Sequence, residues 1–389
     1  MRAPSTDAAL SVPAMPAGPG ADRPTVARIS LSALTHNFEE VTRRANGRKI
    51  LAVVKANAYG HGLVPVARHL LERGAHMLGV ALVEEGRELR EAGIEAPILV
   101  MGPVFPEQAD AVAALRLTPA LSNNTVARAL DDAARRRSRR IAVHVKIDTG
   151  MSRTGVSPEA APDLIRELNS LEGIVVEGLM THFADADLRD KAFAAQQMER
   201  FETLIRTLTD QGISIPLRHA ANSASILDYP RALFTMVRPG LMLYGYDPVE
   251  GNAPGAALQP VLSLVTRIFL LKKLPAGTPI SYGRTFVTRR ESLIATIPIG
   301  YADGFSRSLS NCGEALVWGA RVPVTGRVCM DMTMLDVTDV PGVREGDEVV
   351  LIGSSGSERI TAADLAAKTG TIPYEVLCGI SSRVPRIFR

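Results

Sequence analysis

The chain has 389 residues, of which 46% are hydrophobic and 22% charged, a composition typical of soluble globular proteins. Its length exceeds that of one ordinary hydrophobic core and predicts two domains. The formal net charge is +3 and both signs are mixed along the chain, so neither nucleic acid nor a membrane surface is an expected partner.

The cysteines and the N-terminal composition indicate an intracellular protein. The three cysteines, Cys312, Cys329 and Cys378, are odd in number and lack CxxC spacing, so we predict no disulfide framework, no metal site and a cytoplasmic location. No apolar run reaches the length of a membrane span. Residues 1–24 are rich in Ala, Pro and Gly without an apolar core, which predicts a disordered tail rather than a secretory signal.

Regular patterning begins at Thr25. Apolar residues at helical spacing follow from Leu31, with Ser32 as the predicted N-cap and Gly47 as the predicted end of the helix. Eight short apolar runs then alternate with amphipathic stretches, as expected of parallel strands joined by helical crossovers. The predicted strands are 50–54, 77–81, 98–101, 117–121, 141–147, 174–180, 215–219 and 234–237, and the predicted helices between them include 83–92, 106–115, 126–136, 158–168, 190–209 and 225–232.

Eight such repeats favour a closed barrel over an open sheet. We therefore predict an α/β fold in which residues 25–255 form a (β/α)8 TIM-type barrel. From about residue 256 the pattern changes to short strand-like runs between Gly, Pro and Asp turns, with one helical stretch at 361–368, which predicts a mostly β domain over residues 256–389.

The first candidate functional residue is Lys55, in the stretch VVKANAYGHG at 53–62. It ends a buried strand, where burial of an ammonium group is costly. A partly desolvated lysine has a lowered pKa and is a good nucleophile, so Lys55 is a candidate to hold an aldehyde cofactor as an imine. The alternative is a lysine that extends to solvent at the end of its strand.

The second candidate site is for a phosphate. Ser223 joins the seventh predicted strand to a helix, where its hydroxyl and N–H suit an anion, although a plain N-cap explains the same residue. Arg238 and Gly240 follow the eighth strand, and barrels often build phosphate sites from the loops after strands seven and eight.

Further polar residues occupy turns. Arg153, in the loop that begins at Lys146, suits a bidentate clamp on a carboxylate, but a plain charged loop is the alternative. In the second domain, polar and aromatic residues occur in the turn-like motifs SYG, IGYADG, CMD and PYE. Each of these, taken singly, is more often turn or core packing than catalysis.

Together these motifs resemble the alanine racemase family, pyridoxal-phosphate (PLP) enzymes with an N-terminal barrel and a C-terminal β domain. The resemblance extends from about Thr25 to Arg389. It rests on nine motifs in order: VVKANAYGHG, KIDTGMSR, THF, HAANSAS, MVRPGLMLYG, SYGRTF, IPIGYADG, RVCMDM and PYEVLCGISSRVPR.

The resemblance implies a role for each matching residue. Alanine would react through an external aldimine with PLP, with Lys55 and Tyr282 as two acid/base groups on opposite faces. Arg153 and Met330 would bind the substrate carboxylate. Lys146 matches a position that is carbamylated in some members. Tyr301 and Asp331 would lie at the entrance, and the remaining cofactor-binding residues would be Tyr59, Arg153, His182, Asn222, Ser223, Arg238, Gly240, Leu241 and Tyr374.

The resemblance also implies a homodimer with shared active sites, in which the second domain of one subunit covers the barrel of the other. Three alternatives stay open: a racemase of broad specificity on the same fold, a non-catalytic PLP carrier, and a basic amino-acid decarboxylase of related layout. The sequence does not decide between D-alanine supply for peptidoglycan synthesis and D-alanine catabolism.

Overall fold

The computed structural model of the chain describes residues 23–389. The predicted disordered tail therefore lies outside the described residues, except for its last two positions. Of these, Arg23 donates hydrogen bonds to both carboxylate oxygens of Asp303, at 2.6 and 2.8 Å. Strand β1 (Val26–Ile29) follows, within the range predicted for the barrel, but it pairs antiparallel with residues 262–265 and parallel with residues 386–388 of the second domain.

The eight apolar runs form one parallel eight-stranded sheet, which confirms the predicted barrel. The observed strand ends lie within two residues of the predicted ones. The strands are β2 (Lys49–Val53), β3 (Met77–Val80), β4 (Ile98–Val100), β5 (Thr118–Leu121), β6 (Ile141–Lys146), β7 (Ile174–Met180), β8 (Leu217–His219) and β9 (Met236–Val237). Strand β9 pairs with β2, and the N–H of Thr235 donates to the carbonyl of Arg218 at 3.0 Å, so the sheet closes on itself.

Helices follow most barrel strands and cover the outside of the sheet. They are α1 (Leu31–Ala45), α2 (Lys55–Tyr59), α3 (Leu63–Glu72), α4 (Val83–Glu91), α5 (Ala109–Ala114), α6 (Asn124–Arg136), α7 (Ala161–Ser170), α8 (Ala192–Asp210) and α9 (Ser223–Asp228). The predicted N-cap Ser32 is wrong, because the helix begins at Leu31 and its N-cap is Ser30, whose hydroxyl accepts from the N–H of Ala33 at 3.1 Å.

The barrel strands are buried on both sides, as expected for a parallel sheet covered by helices. Strand β6 shows how this positions the site. Side chains alternate along a strand, so Val143 and Val145 share one face, while His144 and Lys146 share the other. All four are buried, and the polar pair therefore enters the interior of the barrel mouth at the carboxyl end of the strand.

The second domain is mostly β, as predicted. Its strands are β10 (Leu262–Arg267), β11 (Leu270–Leu274), β12 (Pro279–Ile280), β13 (Phe286–Val287), β14 (Ser292–Ile297), β15 (Glu314–Val317), β16 (Ala320–Pro323), β17 (Thr333–Asp336), β18 (Glu348–Ser355), β19 (Glu358–Ile360) and β20 (Arg386–Phe388), with helices α10 (Ala362–Thr369) and α11 (Pro373–Gly379). The main sheet has the order β16-β15-β18-β10-β1-β20, with β19 beside β18. A second sheet has the order β11-β14-β17, and β12 and β13 form a hairpin.

The mostly apolar stretch 262–271 forms two separate strands in the structure. Strand β10 belongs to the main sheet and β11 to the three-stranded sheet. The chain changes sheets between them, where Ile268 N–H donates to the carbonyl of Asp347 and Phe269 N–H to that of Thr296, both at 2.9 Å. Within residues 23–389, no helix is both long enough and apolar enough to cross a membrane.

Candidate active site

Lys55 begins a left-handed turn at the mouth of the barrel. The next four residues, 56–59, all have φ between 52° and 54°, the left-handed region. None of them is glycine, and each costs about 1–2 kcal/mol relative to right-handed helix. The turn ends at Gly60, whose φ is 82° and where a Cβ would lie 2.2 Å from the carbonyl oxygen of Leu377. Glycine is therefore required at this position.

The Lys55 side chain is half-buried among other titratable groups. Burial lowers the pKa of its ammonium, and the positive charge of Arg153 lowers it further. Glu85 and Cys378 act in the opposite direction and raise it. The net effect is a lysine whose uncharged, nucleophilic form is more accessible than that of a surface lysine.

Ser223, Gly240 and Tyr59 lie together beside this turn. The Ser223 hydroxyl oxygen accepts from the N–H of Gly240 at 2.9 Å and from the N–H of Met242 at 3.3 Å. Its own hydrogen stays available to a further acceptor. A Cβ at Gly240 would lie 2.7 Å from the Tyr59 hydroxyl, so only glycine lets these two groups approach so closely.

The N-cap alternative for Ser223 is wrong, because the neighbouring residue fills that position. The Asn222 side-chain oxygen accepts from both the N–H and the hydroxyl of Ser225, each at 3.0 Å. The structure thus places Asn222 at the site as the cap of α9. Since the cap is already provided, the Ser223 hydroxyl is free to face Gly240.

Tyr59 connects the barrel to the second domain. Its ring stacks on Tyr244 with centroids 4.8 Å apart, and Tyr374 of α11 lies 5.8 Å away. Burial raises the pKa of the Tyr59 hydroxyl and raises that of Tyr374 to about 12. Both hydroxyls therefore remain protonated and able to donate hydrogen bonds to an anion.

Arg238 is a buried cation without a carboxylate partner in the described chain. Its guanidinium donates to the carbonyls of His219 at 2.8 Å, Thr181 at 2.7 Å and Ala220 at 3.0 Å. It also donates to Nδ1 of His219 at 2.9 Å and to Nδ1 of His182 at 3.2 Å. Burial lowers the Arg238 pKa to about 10, so the group still carries its proton at neutral pH.

A chain of neutral histidines extends from Arg238. Because a guanidinium only donates, Nδ1 of His219 accepts, and Nε2 of His219 carries the proton and donates to Nδ1 of His144 at 2.8 Å. Burial, with the charge of Arg238, lowers the pKa of His144 to about 3 and those of His182 and His219 well below their usual range. Gly178 permits this arrangement, since a Cβ there would lie 2.4 Å from the His144 ring.

Lys146 is the second buried lysine of the site. Burial lowers its pKa to about 7, helped by the charges of Arg238 and Arg153 and opposed by Asp148. Arg153 itself is exposed, in the loop that follows β6. The barrel mouth therefore concentrates four positively ionisable groups, Lys55, Lys146, Arg153 and Arg238, which suits an anionic ligand.

The remaining predicted residues form a separate cluster on the second domain. Backbone hydrogen bonds hold its loops together: Tyr301 N–H donates to the carbonyl of Cys329 at 3.0 Å, and Ala302 N–H to that of Met330 at 3.1 Å. Nearby, the hydroxyl of Ser281 donates to the carbonyl of Arg327 at 2.7 Å. The entrance cluster, as we call it, consists of Tyr282, Tyr301, Met330 and Asp331.

The entrance cluster is exposed. Tyr282 retains 70% of its accessible surface, Met330 52% and Tyr301 42%. Within residues 23–389, no side-chain hydrogen bond or ion pair joins these residues to the barrel, and Asp331 pairs instead with Arg383 at 2.7 Å. A single chain thus brings together the predicted barrel residues and Tyr374, whereas the entrance cluster makes no such bonds to them within the described residues.

Sequence reasoning missed Glu85, which binds the Lys55 turn, and Asp303, which ties Arg23 to the loop of Tyr301. It also missed His144, although the pattern HVK at the end of β6 indicates that this histidine belongs to the site. A histidine two residues before Lys146 shares its face of the strand.

The chain is similar to known proteins over nearly its whole length. Two family profiles match, "Alanine racemase, N-terminal domain" over residues 29–248 and "Alanine racemase, C-terminal domain" over residues 261–388. An alanine racemase of Halothermothrix orenii is 49% identical, over 94% of this chain and 97% of that protein. The solved alanine racemase of Clostridium difficile 630 superposes with a TM-score of 0.91 at 38% identity, over 95% of this chain and 96% of that one. An alanine racemase of Bacillus anthracis with bound L-Ala-P gives 0.88 at 37% identity, over 94% and 95%.

Proposed function

The chain belongs to the alanine racemase family of PLP-dependent racemases (EC 5.1.1.1), and from this premise we propose how its residues interconvert L- and D-alanine. The observation that carries the proposal is the half-buried Lys55, of lowered pKa, beside a group of hydroxyl donors and a buried guanidinium.

The donor set at the barrel mouth fits PLP. The hydroxyls of Tyr59, Ser223 and Tyr374, together with the backbone of Gly240 and Leu241, would hold the phosphate. Lys55 would hold the aldehyde carbon, with His182 beside the ring and Asn222 supporting the loop. When bound, PLP supplies an electron-withdrawing ring that makes the α-hydrogen of an attached amino acid acidic.

Lys55 and Tyr282 would move the proton. Inversion is simplest with two groups on opposite faces of the substrate, one removing the α-proton while the other returns a proton. The amine of Lys55 accepts or donates at one face. Tyr282 serves the other face, and because it is exposed and makes no hydrogen bond to the barrel residues of the described chain, it would come from a second copy.

Arg238 would face the pyridine nitrogen. Its guanidinium keeps its proton, and the histidines around it are neutral, so no anion at this place holds a proton on the ring nitrogen. Arg238 would therefore limit the electron withdrawal of the ring. That favours quick return of the α-proton and disfavours transamination.

Arg153 and Met330 would bind the substrate carboxylate, Arg153 by a charge-assisted hydrogen bond. Lys146 is a candidate for carbamylation, because a pKa of about 7 leaves much of its amine uncharged at neutral pH. The nitrogen would add to CO₂ and release one proton, which leaves a carbamate anion near the cations Arg153 and Arg238. A carbonyl signal from the protein under ¹³CO₂, absent in Lys146→Met, is the expected result.

The homodimer would complete each site. Tyr301, Asp331 and Tyr282 would reach the barrel mouth of the partner copy and narrow its entrance. We place the enzyme in the cytoplasm, where D-alanine would serve peptidoglycan synthesis or be degraded.

The test uses purified protein with PLP and, separately, L-alanine, L-serine, L-lysine or L-arginine, with the D-enantiomers measured by chiral chromatography. Formation of D-alanine alone is expected. D-enantiomers of the larger amino acids would instead indicate a racemase of broad specificity. A bound cofactor without any D-product would indicate a PLP carrier and contradict the proposal.

A further inference from the structure

Glu85 joins the segments that follow two neighbouring barrel strands. It is the third residue of α4, and its Oε2 accepts from the N–H groups of Ala81 at 2.7 Å and Leu82 at 3.1 Å, as a capping carboxylate does. Its Oε1 accepts from the N–H of Ala56 at 2.6 Å. Ala56 directly follows Lys55, so one carboxylate holds both the start of α4 and the turn that carries the lysine.

Helix capping alone does not account for the bond to Ala56. A capping box satisfies donors at the start of its own helix, whereas Ala56 lies 29 residues earlier in the chain. The bond also falls at the first of four left-handed residues, where the backbone needs support. A hydrogen bond to a charged acceptor is among the stronger ones available for that purpose.

The charge of Glu85 matters as well as its geometry. The titratable groups that face Lys55 from the surrounding elements are Arg153 after β6, His182 after β7, Cys378 in α11 and Glu85 in α4. Burial and Arg153 lower the pKa of Lys55, and Glu85 raises it. Of these four, Glu85 is the carboxylate, and its Oε1 binds the backbone N–H one residue after Lys55, so its negative charge lies near the turn and favours the protonated lysine.

We propose that Glu85 is a positioning residue for Lys55, which fixes the left-handed turn against α4 and stabilises the ammonium form of the lysine. The proposal rests on the proposed function only in that Lys55 is taken as the cofactor lysine. Its role in the reaction follows from the cycle of Lys55, which must gain and lose a proton in every turnover. Glu85 keeps the amine basic enough to accept that proton while burial keeps it nucleophilic.

The test compares Glu85→Gln with Glu84→Gln in the full chain without cofactor. Glutamine retains one acceptor oxygen and the side-chain shape but loses the charge and the second acceptor. Glu84 is exposed on the same helix, so its variant removes an equal charge one residue away. Two quantities are measured: the hydrogen exchange rate of the Ala56 amide by NMR, and the Lys55 pKa from pH-dependent acetylation followed by peptide mass spectrometry.

In Glu85→Gln, we expect the Ala56 amide to exchange about tenfold faster, which corresponds to loss of one charge-assisted hydrogen bond. The Lys55 pKa is expected to fall further, because its counter-charge is gone. Glu84→Gln should leave both values at those of the unaltered chain. If either quantity is the same in the two variants, the proposal is wrong.

A measurement on the unaltered protein covers the case in which Glu85→Gln does not fold. The amide proton of Ala56 should shift as the Glu85 carboxylate is titrated with acid, and absence of that shift would overturn the proposal. In the holoenzyme, Glu85→Gln should lower kcat more than it changes KM. The exchange and acetylation results do not involve PLP, so they stand even if Lys55 proves not to hold the cofactor.

Discussion

The barrel mouth and the entrance cluster both carry residues of the proposed mechanism, but they differ in how far the described chain surrounds them. Arg238 is 3% exposed, and its guanidinium donates to several neighbouring acceptors. Tyr282 is 70% exposed and its hydroxyl has no hydrogen bond within residues 23–389. The difference shows that internal packing surrounds the titratable groups of the barrel, whereas the proposed mechanism assigns the surroundings of the entrance cluster to a second copy of the chain.

The largest effect of a substitution is expected at Lys55. We expect Lys55→Ala to abolish the visible absorbance of bound PLP and to lower turnover at least about a thousandfold, because both the attachment and one acid/base group are lost. Absorption spectra and a D-alanine assay check this. Lys49→Ala is the control, since Lys49 is an exposed lysine at the opposite end of the same strand. If Lys55→Ala retained turnover, the barrel mouth would not be the site of the reaction.

The exposed region is tested at Tyr282. Tyr282→Phe should keep the cofactor and the stability of the protein, because the side chain packs on little of its own chain. Racemisation should fall by roughly 10²–10⁴-fold, the usual contribution of a general acid or base. Exchange of the α-hydrogen in D₂O should persist for one enantiomer only. Trp318→Phe, another exposed aromatic, is the control. Equal rates in both directions, unchanged from the unaltered enzyme, would refute the two-group mechanism.

Asp303 bears on the same difference, because it is a buried carboxylate in the loop that carries Tyr301. It is fully buried, and besides Arg23 it has Arg383 at 3.4 Å and the N–H of Gly300 at 3.1 Å. Asp303→Asn should lower the free energy of unfolding by about 2 kcal/mol, because Arg23 loses its carboxylate partner and Arg383 keeps only Asp331. Chemical denaturation measures this loss. Asp339→Asn, at an exposed pair with Arg290, should change stability by less than about 1 kcal/mol.

The same carboxylate predicts a pH dependence. Burial raises the pKa of Asp303, but the hydrogen bonds from Arg23 and Gly300 and the charges of Arg23 and Arg383 outweigh it, so the pKa is lowered overall. A lowered pKa stabilises the fold above the pKa of the unfolded chain, about 4, and this stability is lost as the pH falls through the folded value. The unaltered protein should therefore lose more stability than Asp303→Asn on acidification below pH 4. If the free energy of unfolding falls equally with pH in the unaltered protein and in Asp303→Asn, the ion pair does not contribute as described.

The smallest expected effect concerns the strained turn. In Ala56→Gly the left-handed backbone becomes unstrained, and we expect a gain of roughly 0.5–1 kcal/mol in the free energy of unfolding. Ala129→Gly, in the right-handed helix α6, should instead lose about 1 kcal/mol. Thermal unfolding of both variants checks that the two changes in stability have opposite signs. A loss at both positions would mean that the turn stores no strain.

The barrel was predictable from sequence because its strands are short and mostly apolar and its connections are local. Strand β1 was not, since its partners β10 and β20 lie more than 200 residues further along the chain and its four residues carry no sign of them. The candidate residues at strand ends were found by type and position. Glu85 was not, because its bond to Ala56 depends on a left-handed turn that the letters KANAY do not reveal.

The most direct test of the account is whether Lys55 and Tyr282 act in one site but come from two copies of the chain. Lys55→Ala and Tyr282→Phe homodimers are each expected to be inactive. They are mixed in equal amounts, exchanged between subunits, and assayed for D-alanine with PLP present. Random exchange makes half of the dimers mixed, each with one intact site, so about a quarter of the unaltered activity should return. A mixture as inactive as its parents, after subunit exchange is verified by mass spectrometry, would contradict the shared site.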